Sequence, residues 1–179
     1  DVYKRQGQHV LLHHGPAVVP VVAQPGYDTG EVHAALPKLG LGSASHGQPL
    51  SGKEVQSLRA LNLGHLRVDL DLSQSDVAAT LARATQDATA LSLPLEIALF
   101  VGEDAASELA TLQSAFAAAK PKVARWLLFA RYDDITPAPL AQHARPILKS
   151  LAPDAPIGGG TNLYFVHLNR VHPPIDQLD

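Results

Sequence analysis

Residues 66–72 read Leu-Arg-Val-Asp-Leu-Asp-Leu, an alternation of apolar and charged side chains with period two. A strand points successive side chains to opposite faces, so Leu66, Val68, Leu70 and Leu72 share one face and Arg67, Asp69 and Asp71 the other. A sheet covered by helices on both faces would have to bury all three charges, and strands of such sheets read as near-continuous apolar runs. The pattern fits the wall of a barrel, with aliphatic side chains toward an outer ring of helices and charges toward the interior and its mouth. Residues 95–101 repeat it in part, with Leu95, Ile97 and Leu99 set against Glu96, Ala98 and Phe100.

The rest of the chain supplies the rhythm such a wall needs. Strand-like runs at 39–45, 66–72, 95–101, 123–130 and 155–159 recur about every 30 residues. Between them lie segments predicted as helices at 51–62, 73–91, 104–119 and 136–151. Ser51-Gly52-Lys53-Glu54 is a capping box, and Val55, Leu58 and Leu61 fall on one face of the helix it opens. Ser73-Gln74-Ser75-Asp76 is a second capping signal. Thr136-Pro137 reads as an N-cap followed by proline at the first helical position, and Pro146 should kink or break that helix. Strand–helix alternation of this kind argues for parallel βαβ units with right-handed crossovers. No Gly-x-Gly-x-x-Gly follows the first strand, and Gly52-Lys53 lacks the upstream glycine of a phosphate loop. The fold expected is α/β, a partial (β/α)8 TIM barrel of about five strands and four helices, unclosed and preceded by short β segments. At 179 residues the chain is shorter than the roughly 250 of a complete barrel.

Three regions are expected. Residues 1–6, Asp-Val-Tyr-Lys-Arg-Gln, read as a non-native artefact of sequence assembly. Residues 7–37, with strand-like runs at 9–13 and 17–23, read as the end of a preceding β domain or a linker. Residues 38–179 read as the N-terminal part of a TIM-barrel catalytic domain. A net charge of −3 without blocks of like charge gives no electrostatic reason to expect nucleic acid or an acidic membrane as partner. No apolar run approaches the roughly 18 residues of a membrane span. Without cysteine neither a disulfide framework nor a thiolate metal site can form. No histidine or carboxylate spacing suggests a metal, and no cofactor is expected. The compartment stays open, with a cytoplasmic one favoured.

Candidate chemistry clusters at strand ends, where barrel active sites lie. His46, in Ser43-Ala44-Ser45-His46-Gly47, reads either as a general base or sugar-hydroxyl ligand, or as a loop histidine packing the strand end. Arg67 and Asp69, with Glu96 beside them, read either as an interior ion network or as a group orienting substrate. Asp71, nearest the mouth, is the better placed substrate contact, or a helix cap. Asp133 and Asp134 follow the fourth strand and read first as a solvated loop, while Trp126 reads as core rather than a sugar platform. Gly158-Gly159-Gly160-Thr161-Asn162 is the most informative segment. Glycines at a strand's C-terminal end admit a ligand or another backbone, and Asn162 then offers a donor and an acceptor. Tyr164 and Phe165-Val166-His167-Leu168-Asn169-Arg170 continue along the same rim.

Leu39-Gly40-Leu41-Gly42-Ser43-Ala44-Ser45-His46-Gly47, Leu66-Arg67-Val68-Asp69-Leu70, Gly158-Gly159-Gly160-Thr161-Asn162-Leu163-Tyr164-Phe165 and Leu168-Asn169-Arg170 with Pro173-Pro174 resemble the D-apionate lactonases over about residues 38–174. The resemblance implies a glycoside-hydrolase-like TIM barrel with flanking β structure that hydrolyses the sugar lactone D-apionolactone to the open acid. The family pattern implies a Glu just before Leu-Asn-Arg, where this chain has His167. Water attack on a lactone carbonyl needs a base and donors for the oxyanion. His167 or His46 is the candidate base. Asn162 and Arg170 are candidate donors, and Arg67–Asp69 is an orienting pair. Asp71, Tyr164 and Asn169 complete the expected substrate contacts. The partner expected is a small sugar lactone or sugar. The rivals are a glycoside hydrolase of TIM-barrel type and a degenerate, non-catalytic sugar-binding barrel fragment, and the isolated chain is expected to turn over little or nothing.

Overall fold

The computed structural model describes residues 37–179, apart from the side chains of Phe165 and His167. The expected artefact at 1–6 and the β segments within 7–36 lie outside the described residues.

Among the described residues five strands alternate with four helices: β1 (Gly40–Gly42), α1 (Gly52–Arg59), β2 (His65–Asp71), α2 (Val77–Leu91), β3 (Leu95–Val101), α3 (Ala105–Ala119), β4 (Val123–Ala130), α4 (Ala138–Leu151) and β5 (Ile157–Gly159). A 3-10 helix follows at Phe165–Asn169. The strands form one sheet in the order β1-β2-β3-β4-β5, and every neighbouring pair is parallel. Sequential order decides between the two architectures the alternation allowed. A doubly wound sheet reverses its strand order at a switch point. Uninterrupted order with right-handed crossovers keeps all the helices on one side, as in a barrel. β1 and β5 do not pair, so the sheet is an unclosed arc of a TIM barrel.

The two faces divide as the strand alternation requires. Leu66, Val68, Leu70, Leu95, Ile97, Leu99, Trp126 and Leu128 are buried in one core with Leu81, Leu109, Leu112, Ala144 and Leu148 from the helices. Arg67, Asp69, Glu96 and Arg125 stand on the opposite, concave face, linked by ion pairs. Cross-strand register puts Glu96 beside Arg67 on one side and Arg125 on the other. Glu96 is 8% exposed, with His65 Nε2 at 3.5 Å, Arg125 Nε at 3.3 Å and Arg67 Nη1 at 3.7 Å from its carboxylate. A buried carboxylate is tolerated only where cations and donors answer it, and here three do. Gly40 makes room for this cluster, because a Cβ there would lie 2.1 Å from His65 Nε2.

Local differences from expectation have physical causes. β1 spans three residues instead of seven, since the chain turns after Ser43, whose N–H and hydroxyl both donate to the Arg67 carbonyl. The Ser51–Glu54 box forms in both directions. Its helix stops at Arg59, however, which leaves Leu61 57% exposed rather than on the buried face. Ser73 caps nothing, because its hydroxyl donates to Asp71, and α2 starts after Asp76 without a side-chain cap. α4 runs unbroken through Pro146, with Leu140, Ala141, Ala144 and Leu148 buried along one face. The buried stripe outweighs the one backbone hydrogen bond that proline removes. The outer edge of β5 is covered at Ile157. Asp179 donates its N–H to the Ile157 carbonyl (2.9 Å) and accepts the Ile157 N–H through Oδ2 (3.0 Å). Lys149 and Arg145 hold the Asp179 carboxylate at 2.8 and 2.6 Å and, with the Ile157 N–H, keep its pKa well below the usual carboxylate range.

Candidate active site

Parallel strands place their C-terminal ends, and the loops after them, on one rim. There a cleft of about 420 Å³ opens above β3, β4 and β5. Its apolar floor is Phe100 and Phe129, neighbours in the β3–β4 register whose rings stack with centroids 5.4 Å apart. One wall is the loop after β4, carrying Arg131, Tyr132, Asp133 and Asp134. The other is the segment after β5, carrying Gly160, Asn162 and Leu163. Arg131 is aimed by two contacts: its N–H donates to the Val101 carbonyl (2.8 Å), and its Nη1 lies 3.4 Å from Asp71 Oδ1.

Asp71 ends β2 at the same rim. It accepts the Ser73 N–H (3.1 Å) and hydroxyl (2.8 Å). Partial burial pushes its carboxyl up, but the Ser73 bonds, the Arg131 charge and the Gln74 amide outweigh this and leave it below its ordinary range. A depressed carboxylate stabilises the fold above its unfolded-state pKa, near 4, and loses that contribution as pH falls through the folded value below it. Because the side chain is about one-third exposed, solvent screening holds the contribution to under about 1 kcal/mol. Asp71→Asn should therefore be slightly less stable than the parent in urea at pH 6. The gap should narrow as pH falls below about 4 and through the folded-state value, and a gap independent of pH would show that the tether is not ionic.

Of the residues read from the sequence, Asn162 lines the cleft and Asp71 reaches it through Arg131. Arg67 and Asp69 share the concave face and bond to each other at 2.8 Å, below the rim and within the ion network around Glu96. Tyr164, Asn169 and Arg170 are exposed on the segment after β5 and are not among the cleft's lining residues. His46 is not brought to the cleft. Its Nδ1 accepts the Gln48 N–H (3.1 Å), its Nε2 lies 3.9 Å from Glu54, and its ring lines a separate apolar groove with Leu41, Leu50 and Leu58. The backbone of His167 falls in the 3-10 helix, and its side chain lies outside the described residues. Among the described residues no group of three metal-ligating side chains comes together, and no helix is long and apolar enough to cross a membrane.

A family model described as D-apionate lactonase, TIM barrel domain, matches residues 39–179. The chain belongs to this family. No curated protein and no solved structure matches the chain. Relative to the sequence reading, the cleft of this D-apionate lactonase-family domain adds Arg131 and the Phe100–Phe129 pair and brings in Asp133. The signal for Arg131 was its place directly after the strand at 123–130, where barrel chemistry sits. The phenylalanine pair needed the register, because the two residues are 29 positions apart in sequence and adjacent only across β3 and β4.

Proposed function

We propose that the cleft binds a small sugar lactone and that the chain supplies part of the site for its hydrolysis, D-apionolactone to D-apionate. The observation that carries this reading is the cleft itself. Stacked aromatic rings lie beneath it, and a guanidinium, a side-chain amide and a carboxylate loop converge above them. Rings offer the C–H face of a sugar an apolar surface, while polar groups at the rim bond its hydroxyls. In the reaction a base takes a proton from water as its oxygen bonds to the lactone carbonyl carbon. The oxyanion then collapses, the ring C–O bond breaks, and the departing ring oxygen takes a proton. Arg131 and Asn162 are the donors suited to the oxyanion, and Asp133 or His167 is the candidate base.

Ring opening releases acid, so turnover is followed by pH-stat and binding by calorimetry. Because the sheet is unclosed, the 179-residue chain should bind D-apionolactone yet open it no faster than buffer does. Asn162→Ala and Arg131→Met should each weaken binding about tenfold, the loss of one or two good hydrogen bonds. Undetectable binding would remove the lactone as ligand, and rapid turnover would refute the half-built site. The two carboxylates of the β4 loop favour one other reading, a glycoside hydrolase, which predicts tighter binding of a glycoside than of the lactone in the same titration.

A further inference from the structure

The most constrained group at the rim is one that the lactone reading does not use. Thr136 is 1% exposed, and its hydroxyl touches three backbone groups. It donates toward the Leu128 carbonyl of β4 and lies 3.2 Å from the Gly160 carbonyl, and it accepts the Gly160 N–H at 2.9 Å. The Thr136 N–H donates to the Gly160 carbonyl, also at 2.9 Å. The β4–β5 ladder ends at the Leu128–Gly159 pair. Beyond it, the Gly160 N–H reaches the Leu128 carbonyl only through this hydroxyl, which extends the ladder by one relay. Gly160 has φ +136°, a conformation that side-chain-bearing residues rarely adopt, so the chain bends sharply there toward Asn162 and Leu163.

We infer that Thr136 is a positioning residue: its hydroxyl clamps the segment after β5 to the loop after β4 and so sets the gap between the two walls of the cleft. The role deepens the reading of the cleft as a lactone site and rests on it for its use, though not for its geometry. A threonine ahead of Pro137 is an ordinary N-cap by sequence. Here Pro137 itself is the cap residue, and the hydroxyl is committed across the sheet instead.

The test uses the whole chain with Thr136→Val, which is isosteric without the hydroxyl, and Thr136→Ser, which restores it. Leu112→Val, in the core under α3, serves as a control for general destabilisation. Amide exchange of Gly160 should accelerate at least tenfold in Thr136→Val, with β3 amides unchanged, and should return to within about threefold of the parent in Thr136→Ser. D-apionolactone affinity should fall about tenfold in Thr136→Val and stay within twofold in Thr136→Ser and Leu112→Val. Unchanged Gly160 exchange in Thr136→Val overturns the clamp whatever the binding shows. Faster exchange with undiminished affinity overturns its role in the cleft. Should no form bind the lactone while Gly160 exchange still rises in Thr136→Val alone, the lactone reading fails and the clamp stands. If Thr136→Val does not fold, the comparison moves to Thr136→Ala and Thr136→Ser under the same criteria.

Discussion

Trp126→Ala should cost about 3–5 kcal/mol, a large share of the roughly 5–15 kcal/mol that holds a domain together. The indole is fully buried on the helix side of β4 and packs against the Phe116 ring of α3 at 5.8 Å. It is also the one buried side chain whose polar atom, the indole N–H, finds no partner among the described residues. An unmet buried donor carries a desolvation penalty. Trp126→Phe, which keeps a ring and removes that donor, should therefore cost less than about 1.5 kcal/mol. Urea unfolding of the three proteins measures both numbers. Equal losses in the two variants would mean that the indole N–H is satisfied, and losses under 1 kcal/mol in both would put the tryptophan outside the core.

The second large effect falls on the concave face. Among the described residues, Glu96 is the carboxylate that faces His65, Arg67 and Arg125 together. Glu96→Ala leaves three potential cations crowded around an apolar site. Removing one member of a fully buried pair costs about 3–5 kcal/mol. Arg125 is about half exposed and Arg67 about one-third, so water takes up part of the imbalance and about 2 kcal/mol is expected. The double variant Glu96→Ala/Arg125→Met should recover at least half of the loss, because it removes repulsion along with attraction. Strict additivity of the two single changes would show that the network is a set of independently solvated charges.

These two residues mark how the sequence was legible. Glu96 is assigned to the charged face by the alternation within 95–101, and the same alternation in 66–72 separates Leu66, Val68 and Leu70 from Arg67, Asp69 and Asp71, whereas Trp126 was legible as core only from its place within a strand. Capping was less legible. The Ser51–Glu54 box forms as its spacing predicts, whereas Ser73 and Thr136 carry equally good cap chemistry and spend it elsewhere. A hydroxyl bonds to whichever backbone group the tertiary fold brings within reach, and capping is only the local option. Asn162 lines the cleft, where the glycines before it at a strand end had placed it. His46 was read as a rim residue because it follows β1, yet the turn after Ser43 carries it toward α1.

Period-two alternation within strands and a strand–helix rhythm along the chain are local properties, and by themselves they determined a parallel sheet with a charged concave face and helices on the other. Which strand lies beside which, and therefore that Phe100 meets Phe129, Asp71 meets Arg131 and Thr136 meets Gly160, was decided only by the tertiary structure. The physical reason is range. Backbone propensity and side-chain alternation act between residues a few positions apart. The cleft is made of contacts between residues far apart in the chain, whose geometry exists only once the sheet has set its register.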